Sequence, residues 1–224
     1  GGMAASMWAR EYCRRGVDVA LVLGTDLDDV STGPTEYVRP DGKLIHVDLD
    51  ARVFNRGLAT TLPIKTDLGA FARALINLSA AREARDVRQA SPFDAPDAAT
   101  DLSIPIAPHR AVLELQEAMP QAHFVTDIGE HMLFALHYLT AEPRRFHIGL
   151  GIGSMGSGIA GAIGVALGAP GEPVVCICGD GGMQMMGSEL LLAADLGLPI
   201  VYAIFNDARY NMVFHGMRQL YGRG

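Results

Sequence analysis

Short apolar runs alternate with helical stretches along most of the chain, and this alternation limits the possible folds more than any other feature. The strand-like runs are 19–24, 44–49, 123–127, 174–178 and 200–205, and the helical stretches are 4–15, 109–119, 130–139, 188–196 and one that begins at Asp67. Strands separated by helices pair in parallel, with helices packed on both faces of the sheet. The pattern therefore predicts an α/β fold of two parallel-sheet domains with flanking helices, the first of them Rossmann-like.

A change of composition divides the chain into two predicted domains. Between Ala80 and Pro108, a mixture rich in Ala, Asp and Pro replaces the periodic pattern, which is typical of an exposed linker. We expect a first domain at 1–80, a linker at 81–107 and a second domain at 108–224. The chain ends soon after a predicted loop, before any closing helix or strand, and its first residues do not resemble a natural start. We therefore expect truncation at both ends and an incomplete second domain.

The composition argues against several classes of partner. The net charge of −7 is spread along the chain without acidic or basic blocks, so neither a nucleic acid nor an anionic membrane is an expected partner. No apolar run reaches the roughly 20 residues of a spanning helix, and the N-terminus lacks the pattern of a secretory signal. The three cysteines lack the spacing of a zinc site and are expected to be reduced and buried. These features predict a soluble, cytoplasmic protein that binds a small molecule.

Two carboxylates follow two of the predicted strands. Asp180 lies within Gly179–Gly182, directly after the strand 174–178, and Asp207 follows the strand 200–205. Ligands of open parallel sheets bind beyond the carboxyl ends of the strands, where both side chains would meet. Mg²⁺ is commonly held by one or two carboxylates and phosphate oxygens, and glycines let the backbone approach a diphosphate. The pattern indicates a site for Mg²⁺ and a diphosphate, whereas an isolated Gly-Asp-Gly sequence is typical of a tight turn.

The spacing of these residues favours the ligand site over the turn. A Gly-Asp-Gly sequence follows a predicted buried strand, and residues 182–205 separate it from an Asn-Asp pair. This arrangement resembles the thiamine diphosphate (ThDP) motif of thiamine-dependent enzymes. Four further segments resemble enzymes of the acetolactate synthase and 2-oxo-acid decarboxylase type, namely Gly24–Gly33, Ile45–Asp50, Thr126–His131 and Gly151–Gly156. The chain is thus similar to the central domain plus part of the ThDP-binding domain of such an enzyme.

This resemblance implies roles for particular residues. Asp180, the side chain of Asp207 and the backbone carbonyl of Arg209 would bind Mg²⁺, and many relatives have Asn in place of Asp207. The carbonyl of Gly153 would accept a hydrogen bond from the 4′-amino group of ThDP, and Met155 would hold the cofactor in its bent shape. These two are the implied catalytic residues. Further cofactor contacts are implied for Glu130, His131, Ser154, Gly179, Gly181, Gly182, Tyr210, Asn211 and Met212.

The implied activity is the ThDP- and Mg²⁺-dependent decarboxylation or carboligation of a 2-oxo acid. The cofactor accepts the electrons left by departing CO₂, while the protein supplies geometry and a dry pocket. In such enzymes the catalytic glutamate lies in an N-terminal domain that precedes anything in this sequence, and the cofactor lies between two subunits. We therefore expect a homodimer or homotetramer, completion of the site by the N-terminal domain, and no activity from this chain alone.

Two departures from the acetolactate synthase pattern limit the prediction. Gly216 stands where those enzymes have a tryptophan that selects the second 2-oxo acid. A related decarboxylase or carboligase therefore remains open as an alternative to an acetolactate synthase. Asp26 and Val30 replace the arginines associated with FAD, and a carboxylate there would repel the diphosphate of the flavin nucleotide. We therefore expect no FAD.

Two other functions remain open. Gly151–Gly156 also satisfies the dinucleotide pattern GxGxxG, which would make the protein an oxidoreductase, although the preceding run 144–150 is a poor buried strand. The other alternative is a non-catalytic subunit or remnant that keeps the fold without turnover.

The histidines are open to simpler interpretations. His131 either touches the diphosphate or is a partly buried imidazole with a backbone partner. Five others have no ligand-like spacing and are predicted to be surface or packing residues, namely His109, His123, His137, His147 and His215.

Overall fold

The computed structural model of the chain describes residues 7–32, 38–79, 100–142 and 144–222. The chain divides into two compact units, Gly1–Pro96 and Asp97–Gly224. Most of the predicted linker, residues 81–99, and the start of the first predicted helix lie outside the described residues. None of the helices in the described ranges combines the length and the apolar character of a membrane span.

The first unit contains a parallel sheet with a helix at each end of its sequence. Its elements are helix α1 (Met7–Arg14), strand β1 (Val17–Leu23), helix α2 (Asp29–Thr32), strand β2 (Val38–Asp48), a 3-10 helix (Ala51–Val53), strand β3 (Leu62–Lys65) and helix α3 (Leu68–Ser79). The three strands are parallel, in the order β1-β2-β3. Strand β2 begins at Val38 rather than Leu44, because its polar first half also pairs with β1. The sequence pattern missed β3 because this short strand is mostly exposed and has no apolar run.

The second unit contains a four-stranded parallel sheet. Its elements are α4 (Pro108–Ala118), β4 (His123–Thr126), α5 (Glu130–Tyr138), β5 (Phe146–Ile148), α6 (Ser157–Gly168), β6 (Val174–Gly179), α7 (Asp180–Met186), α8 (Glu189–Asp195), β7 (Ile200–Phe205) and α9 (Asn211–Tyr221). The strand order is β5-β4-β6-β7. Strands β6 and β7 pair from Val174 opposite Ile200 to Gly179 opposite Phe205. The residues that follow these two strands therefore lie at the same edge of the sheet, and the chain has the predicted α/β fold.

Strand β6 lies at the centre of the core of the second unit. Val174, Cys176 and Cys178 belong to the cluster that packs with α6, whereas Val175 and Ile177 pack with α4 and α5. Alternate residues of a strand point to opposite faces, so a strand covered on both sides is apolar throughout. This arrangement explains the uninterrupted apolar run at 174–178.

The cysteines are free thiols in the structure. Cys176 and Cys178 are buried, as predicted, whereas Cys13 is only partly buried. The neighbouring thiol of Cys178, together with burial, raises the pKa of Cys176. A raised pKa disfavours the thiolate, so Cys176 is a packing residue rather than a nucleophile.

Two helical regions of the second unit differ from the prediction. Helix α6 was not predicted, because its repeated glycines lower helix propensity; burial of apolar residues such as Ile159 and Ile163 stabilises it. The helix predicted at 188–196 is present as α8, but a further short helix, α7, precedes it and begins directly at Asp180.

The last described segment also differs from the prediction. Residues 211–221 form helix α9, although the sequence was expected to end without a closing helix. Val213, Met217 and Leu220 recur at helical spacing, which gives the helix one apolar face. All three of these side chains are exposed in the structure.

A buried carboxylate connects the loops at the carboxyl edge of this sheet. Asp127, directly after β4, is fully buried. Its two oxygens accept hydrogen bonds from the backbone N–H groups of Gly156, at 2.9 Å, and Gly158, at 3.0 Å. These N–H groups lie at the start of α6, whose own N-cap residue makes no side-chain hydrogen bond. The first N–H groups of a helix lack partners within it, so a carboxylate at this position stabilises the helix.

Glycine is required where Asp127 meets the neighbouring backbone. A Cβ added to Gly158 would lie 2.5 Å from the Cα of Asp127, and one on Gly182 would collide with the Oδ2 of Asp127. Gly156 has a φ of +85°, and a side chain there would collide with Met186. These three glycines let the turns before α6 and at the start of α7 close around a single carboxylate.

Replacement of Asp127 by alanine is expected to lower the free energy of unfolding by about 2–4 kcal/mol, because two buried N–H groups lose their partners. The measurement is urea unfolding of the 224-residue chain, followed by circular dichroism. Asp195→Ala is the matched control, since Asp195 is exposed at the end of α8. Equal stability of the two variants would contradict the role given to Asp127.

Candidate functional site

A cavity of about 1110 Å³ opens at the carboxyl edge of the sheet in the second unit. Its lining includes polar residues that follow β6 and β7, here called the polar wall, and many apolar residues from α4, α5 and the segment before α4, here called the apolar wall. The predicted site residues that line it are Glu130, His131, Met155, Gly179, Asp180, Gly181, Asp207, Arg209, Tyr210, Asn211 and Met212. The structure therefore brings most of the predicted site residues together around one cavity.

Three predicted site residues do not line this cavity. Gly182 is buried and packs against the carboxylate of Asp127 instead. Gly153 has a φ of +70°, and a Cβ added there would meet no atom within 4 Å. The carbonyl of Ser154 accepts a hydrogen bond from Ser157 Oγ at 2.7 Å. Met155 is thus the residue of the loop 151–156 that reaches the cavity.

Asp180 and Asp207 place negative charge on the polar wall. Asp180 is the first residue of α7 and is half-buried, and its carboxylate has no hydrogen bond or ion pair with the described residues. Asp207 is exposed, two residues after β7. Two carboxylates in one cavity repel each other unless a cation lies with them.

The loop between β7 and α9 is a sequence of tight turns. Asn206 Oδ1 accepts a hydrogen bond from the N–H of Ala208 at 3.0 Å, and Ala208 has a φ of +58°. Asp207 accepts hydrogen bonds from the N–H of Arg209 at 3.2 Å and from Asn211 Nδ2 at 2.5 Å. Asp207 therefore acts as a turn cap as well as lining the cavity.

The set predicted to hold a metal contains two carboxylates and one carbonyl. That carbonyl, of Arg209, accepts a hydrogen bond from the N–H of Asn211 at 3.1 Å. The guanidinium group of Arg209 lies over the ring of Phe214, at 5.0 Å from its centroid, so the side chain is held against α9. Within the described ranges, no group of three or more His, Cys, Asp and Glu side chains is arranged to hold a metal ion.

Gly181 has no space for a side chain. A Cβ there would lie 2.5 Å from Tyr210 Cε1 and 3.0 Å from the Cε methyl group of Met155. Any larger residue would displace these two side chains. Glycine at this position therefore keeps the ring of Tyr210 and the methyl group of Met155 close to the start of α7.

His131 is a buried imidazole with a backbone partner. Its Nε2 is 3.1 Å from the carbonyl oxygen of Asp127, to which it donates when the ring is neutral. Its other edge packs closely on Gly129 and Gly179. Burial lowers the pKa of His131, and the carboxylates of Asp127, Asp207 and Asp180 only partly oppose that effect. The simpler interpretation of His131 thus describes its contacts, although the ring also lines the cavity.

Two residues of this region were not predicted as site residues. Asp127 carried the same signal as Asp180 and Asp207, because it too is an acidic residue directly after a strand. His215 was predicted to be a surface or packing residue, but its Nδ1 lies 2.8 Å from Oε1 of Glu130, and both side chains line the cavity. No sequence signal marks this pair, since its members are 85 residues apart.

The dinucleotide interpretation of Gly151–Gly156 has a structural basis and two structural obstacles. Strand β5 precedes the loop and helix α6 follows it, as in a dinucleotide site. However, Asp127 occupies N–H groups at the start of α6 that a pyrophosphate would require. In addition, β4 separates β5 from β6, so Asp180 is not at the end of an adjacent strand. These features argue against a dinucleotide at this loop.

Comparison with known families gives matches in both units. The model described as "Thiamine pyrophosphate enzyme, central domain" matches residues 1–75. The model described as "Thiamine pyrophosphate enzyme, C-terminal TPP binding domain" matches residues 127–223. Together the two models match more than half of the chain.

Curated relatives include several acetolactate synthase large subunits. A probable one from Methanocaldococcus jannaschii is 29% identical over 96% of this chain and 39% of its own length. One from Porphyra purpurea is 28% identical over 99% of this chain and 38% of its own length. One from Haemophilus influenzae is 32% identical over 88% of this chain and 36% of its own length. The chain thus spans less than two-fifths of the length of these relatives.

A solved structure has the same fold. It is that of a putative thiamin diphosphate-dependent enzyme from Mycobacterium smegmatis, with a TM-score of 0.68 and 25% sequence identity. The match covers 86% of this chain and 38% of that protein.

The free energy of unfolding is expected to fall as the pH is lowered below about 6.5. A histidine in the unfolded chain titrates near that pH, whereas burial lowers the pKa of His131 in the folded chain. The unfolded state then binds more protons than the folded state, and protonation favours unfolding. Urea unfolding between pH 8 and pH 5 measures the effect. His131→Gln should make the decline shallower. An imidazole midpoint at or above 6.5 for His131, measured by NMR, would contradict the prediction.

Proposed function

Because the chain belongs to the thiamine pyrophosphate enzymes, we propose that the protein catalyses the ThDP- and Mg²⁺-dependent decarboxylation or carboligation of a 2-oxo acid. The main support is that Asp180 and Asp207, at the ends of neighbouring strands, line one cavity together with Met155. The similarity to acetolactate synthase large subunits supports the class of reaction.

Mg²⁺ fits the chemistry of the polar wall. Asp180 has a carboxylate without a hydrogen-bonding partner in the described chain, which leaves its oxygens available to a cation. Hard divalent ions prefer oxygen ligands and often combine one or two carboxylates with phosphate oxygens. Asp180, Asp207 and the carbonyl of Arg209 would hold the metal, and the last two would exchange their present hydrogen bonds for it.

A diphosphate fits the same wall once the cation is bound. Gly181 and Asp180 both line the cavity at the start of α7, and Tyr210 and Met155 pack closely against Gly181. When bound, ThDP supplies the electron sink that accepts the electron pair left by CO₂. The metal-binding residues of this chain would hold the diphosphate through the metal, and the apolar side chain of Met155 would support the cofactor and exclude water.

The complete enzyme is proposed to need more than this chain. Relatives are more than twice as long as their matched regions, and the cavity that α4 and α5 line opens at the carboxyl edge of the sheet. We propose that an N-terminal domain from a second subunit covers this opening and supplies the glutamate that activates the cofactor. A homodimer or homotetramer is then required for activity, and the 224-residue chain alone is inactive.

Calorimetric titration of ThDP into the protein at its full natural length, first with Mg²⁺ and then with EDTA, tests this proposal. Binding is expected only with the metal, and Asp180→Ala should weaken it at least 100-fold because one charged ligand is lost and the diphosphate faces Asp207 unshielded. Asp195→Ala, which changes an exposed carboxylate on α8, should bind as the unaltered protein does.

Two results would count against the proposal. If ThDP does not bind in the presence of Mg²⁺, the cofactor assignment is wrong. If it binds but no 2-oxo acid releases CO₂ or forms a ligated product, the protein is a non-catalytic member of the family.

A further inference from the structure

The ion pair between Glu130 and His215 joins two distant parts of the chain at the cavity. Glu130 is the first residue of α5, and His215 lies in the middle of α9. His215 Nδ1 and Glu130 Oε1 are 2.8 Å apart. Neither residue belongs to the set that would hold the metal, and although Glu130 is an implied cofactor contact, the function proposed above assigns no role to its pairing with His215.

The geometry leaves one ring nitrogen of His215 available to a ligand. Its Nδ1 donates to Glu130, and no hydrogen bond joins its Nε2 to any described residue. The side chain is 48% exposed, and it lines the cavity. A carboxylate that holds one nitrogen of an imidazole fixes the tautomer and the orientation of the ring, so that the other nitrogen can exchange a proton with a substrate.

His131 cannot take this role, although it lines the same cavity. Its Nε2 is hydrogen-bonded to the carbonyl of Asp127, and its other edge packs closely on Gly129 and Gly179. Among the described residues that line the cavity, His215 is therefore the exposed histidine, whereas His131 is buried.

Carboligation requires a proton at the acceptor. As the new C–C bond forms, the π electron pair of the acceptor carbonyl moves to its oxygen, which then needs a proton to become a hydroxyl group. A positioned general acid supplies this proton more effectively than water does.

We infer that Glu130 and His215 form an acid–base dyad for an acceptor with an aldehyde or ketone carbonyl, an inference that rests on the proposed function. The protonated ring donates the proton on Nε2 to the acceptor oxygen while the bound donor carbon supplies the electron pair of the new C–C bond. The ring becomes neutral, with its remaining proton on Nδ1 and held by Glu130, and solvent returns a proton to Nε2. Glu130 is a positioning residue in this step, and His215 is a catalytic residue.

Other charged groups line the same cavity or lie on the same helix as His215. They are Glu114 on α4, His131 on α5, Asp180 on α7, Asp207 and Arg209 in the loop before α9, and Arg218 one turn further along α9. The pH dependence of the unaltered protein is therefore compared with that of single variants rather than interpreted by itself.

The test uses the full-length protein with ThDP and Mg²⁺, pyruvate as the donor, and pyruvate or acetaldehyde as the acceptor. Release of CO₂ and formation of the ligated product are measured separately between pH 5 and pH 9. His215→Gln should slow ligation about 100-fold while CO₂ release changes little, and it should remove one limb of the pH profile for ligation. Added imidazole should restore ligation in His215→Ala, because the half-exposed side chain leaves an accessible space.

Two variants complete the design. Glu130→Gln keeps a hydrogen-bond acceptor for Nδ1 but removes its charge, and it should give an intermediate loss of ligation with a shifted pH profile. His109→Gln is the matched control, since His109 Nε2 lies 3.1 Å from Asp101 Oδ2 and the residue does not line the cavity. It should ligate as the unaltered protein does.

The possible outcomes separate the dyad from the proposed function. If His215→Gln ligates at the same rate as the unaltered protein, the proposed dyad is wrong. It is also wrong if the loss of ligation merely follows a loss of ThDP affinity, which calorimetry measures. CO₂ release without any ligated product from the unaltered protein also overturns the dyad but leaves the decarboxylase function intact. No ThDP binding by the unaltered protein overturns both.

Discussion

The carboxylate of Asp127 holds together the part of the structure on which the cavity depends. It is fully buried, accepts hydrogen bonds from the N–H groups of Gly156 and Gly158, and contacts the backbone at Gly182. The end of β4, the turn into α6 and the start of α7 are thereby fixed relative to one another. Met155 directly precedes Gly156, and Asp180 lies two residues before Gly182. The hydrogen bonds and contacts of Asp127 therefore determine where both residues lie at the cavity, although Asp127 itself does not line the cavity.

The sequence predicts the parallel sheet and the edge where ligands would bind, because these depend on local patterns. Strands β6 and β7 are apolar runs, and the acidic residue after each is visible in the sequence. Helix α6 was missed because tertiary burial overrides the low helix propensity of its glycines. The pairing of Glu130 with His215 could not be predicted, since it depends on how α9 folds back towards α5 over a separation of 85 residues.

The charges around the cavity suggest a division of tasks. Asp180 and Asp207 form an anionic wall that suits a divalent cation and, through it, a diphosphate. Glu130, a third carboxylate, is already paired with an imidazole and does not need the metal. Leu115 and Phe134 also line the cavity and add apolar surface, next to which electrostatic interactions are stronger than in water. Cofactor binding and proton transfer are thus assigned to separate groups within one cavity.

The most direct measurement is a crystal structure of the full-length protein grown with ThDP and Mn²⁺ in place of Mg²⁺. We expect anomalous density for one metal ion bound by Asp180, Asp207 and the carbonyl of Arg209, with the diphosphate beside Gly181. A diphosphate bound at the loop 151–156, or a metal ion bound elsewhere, would contradict the proposed site.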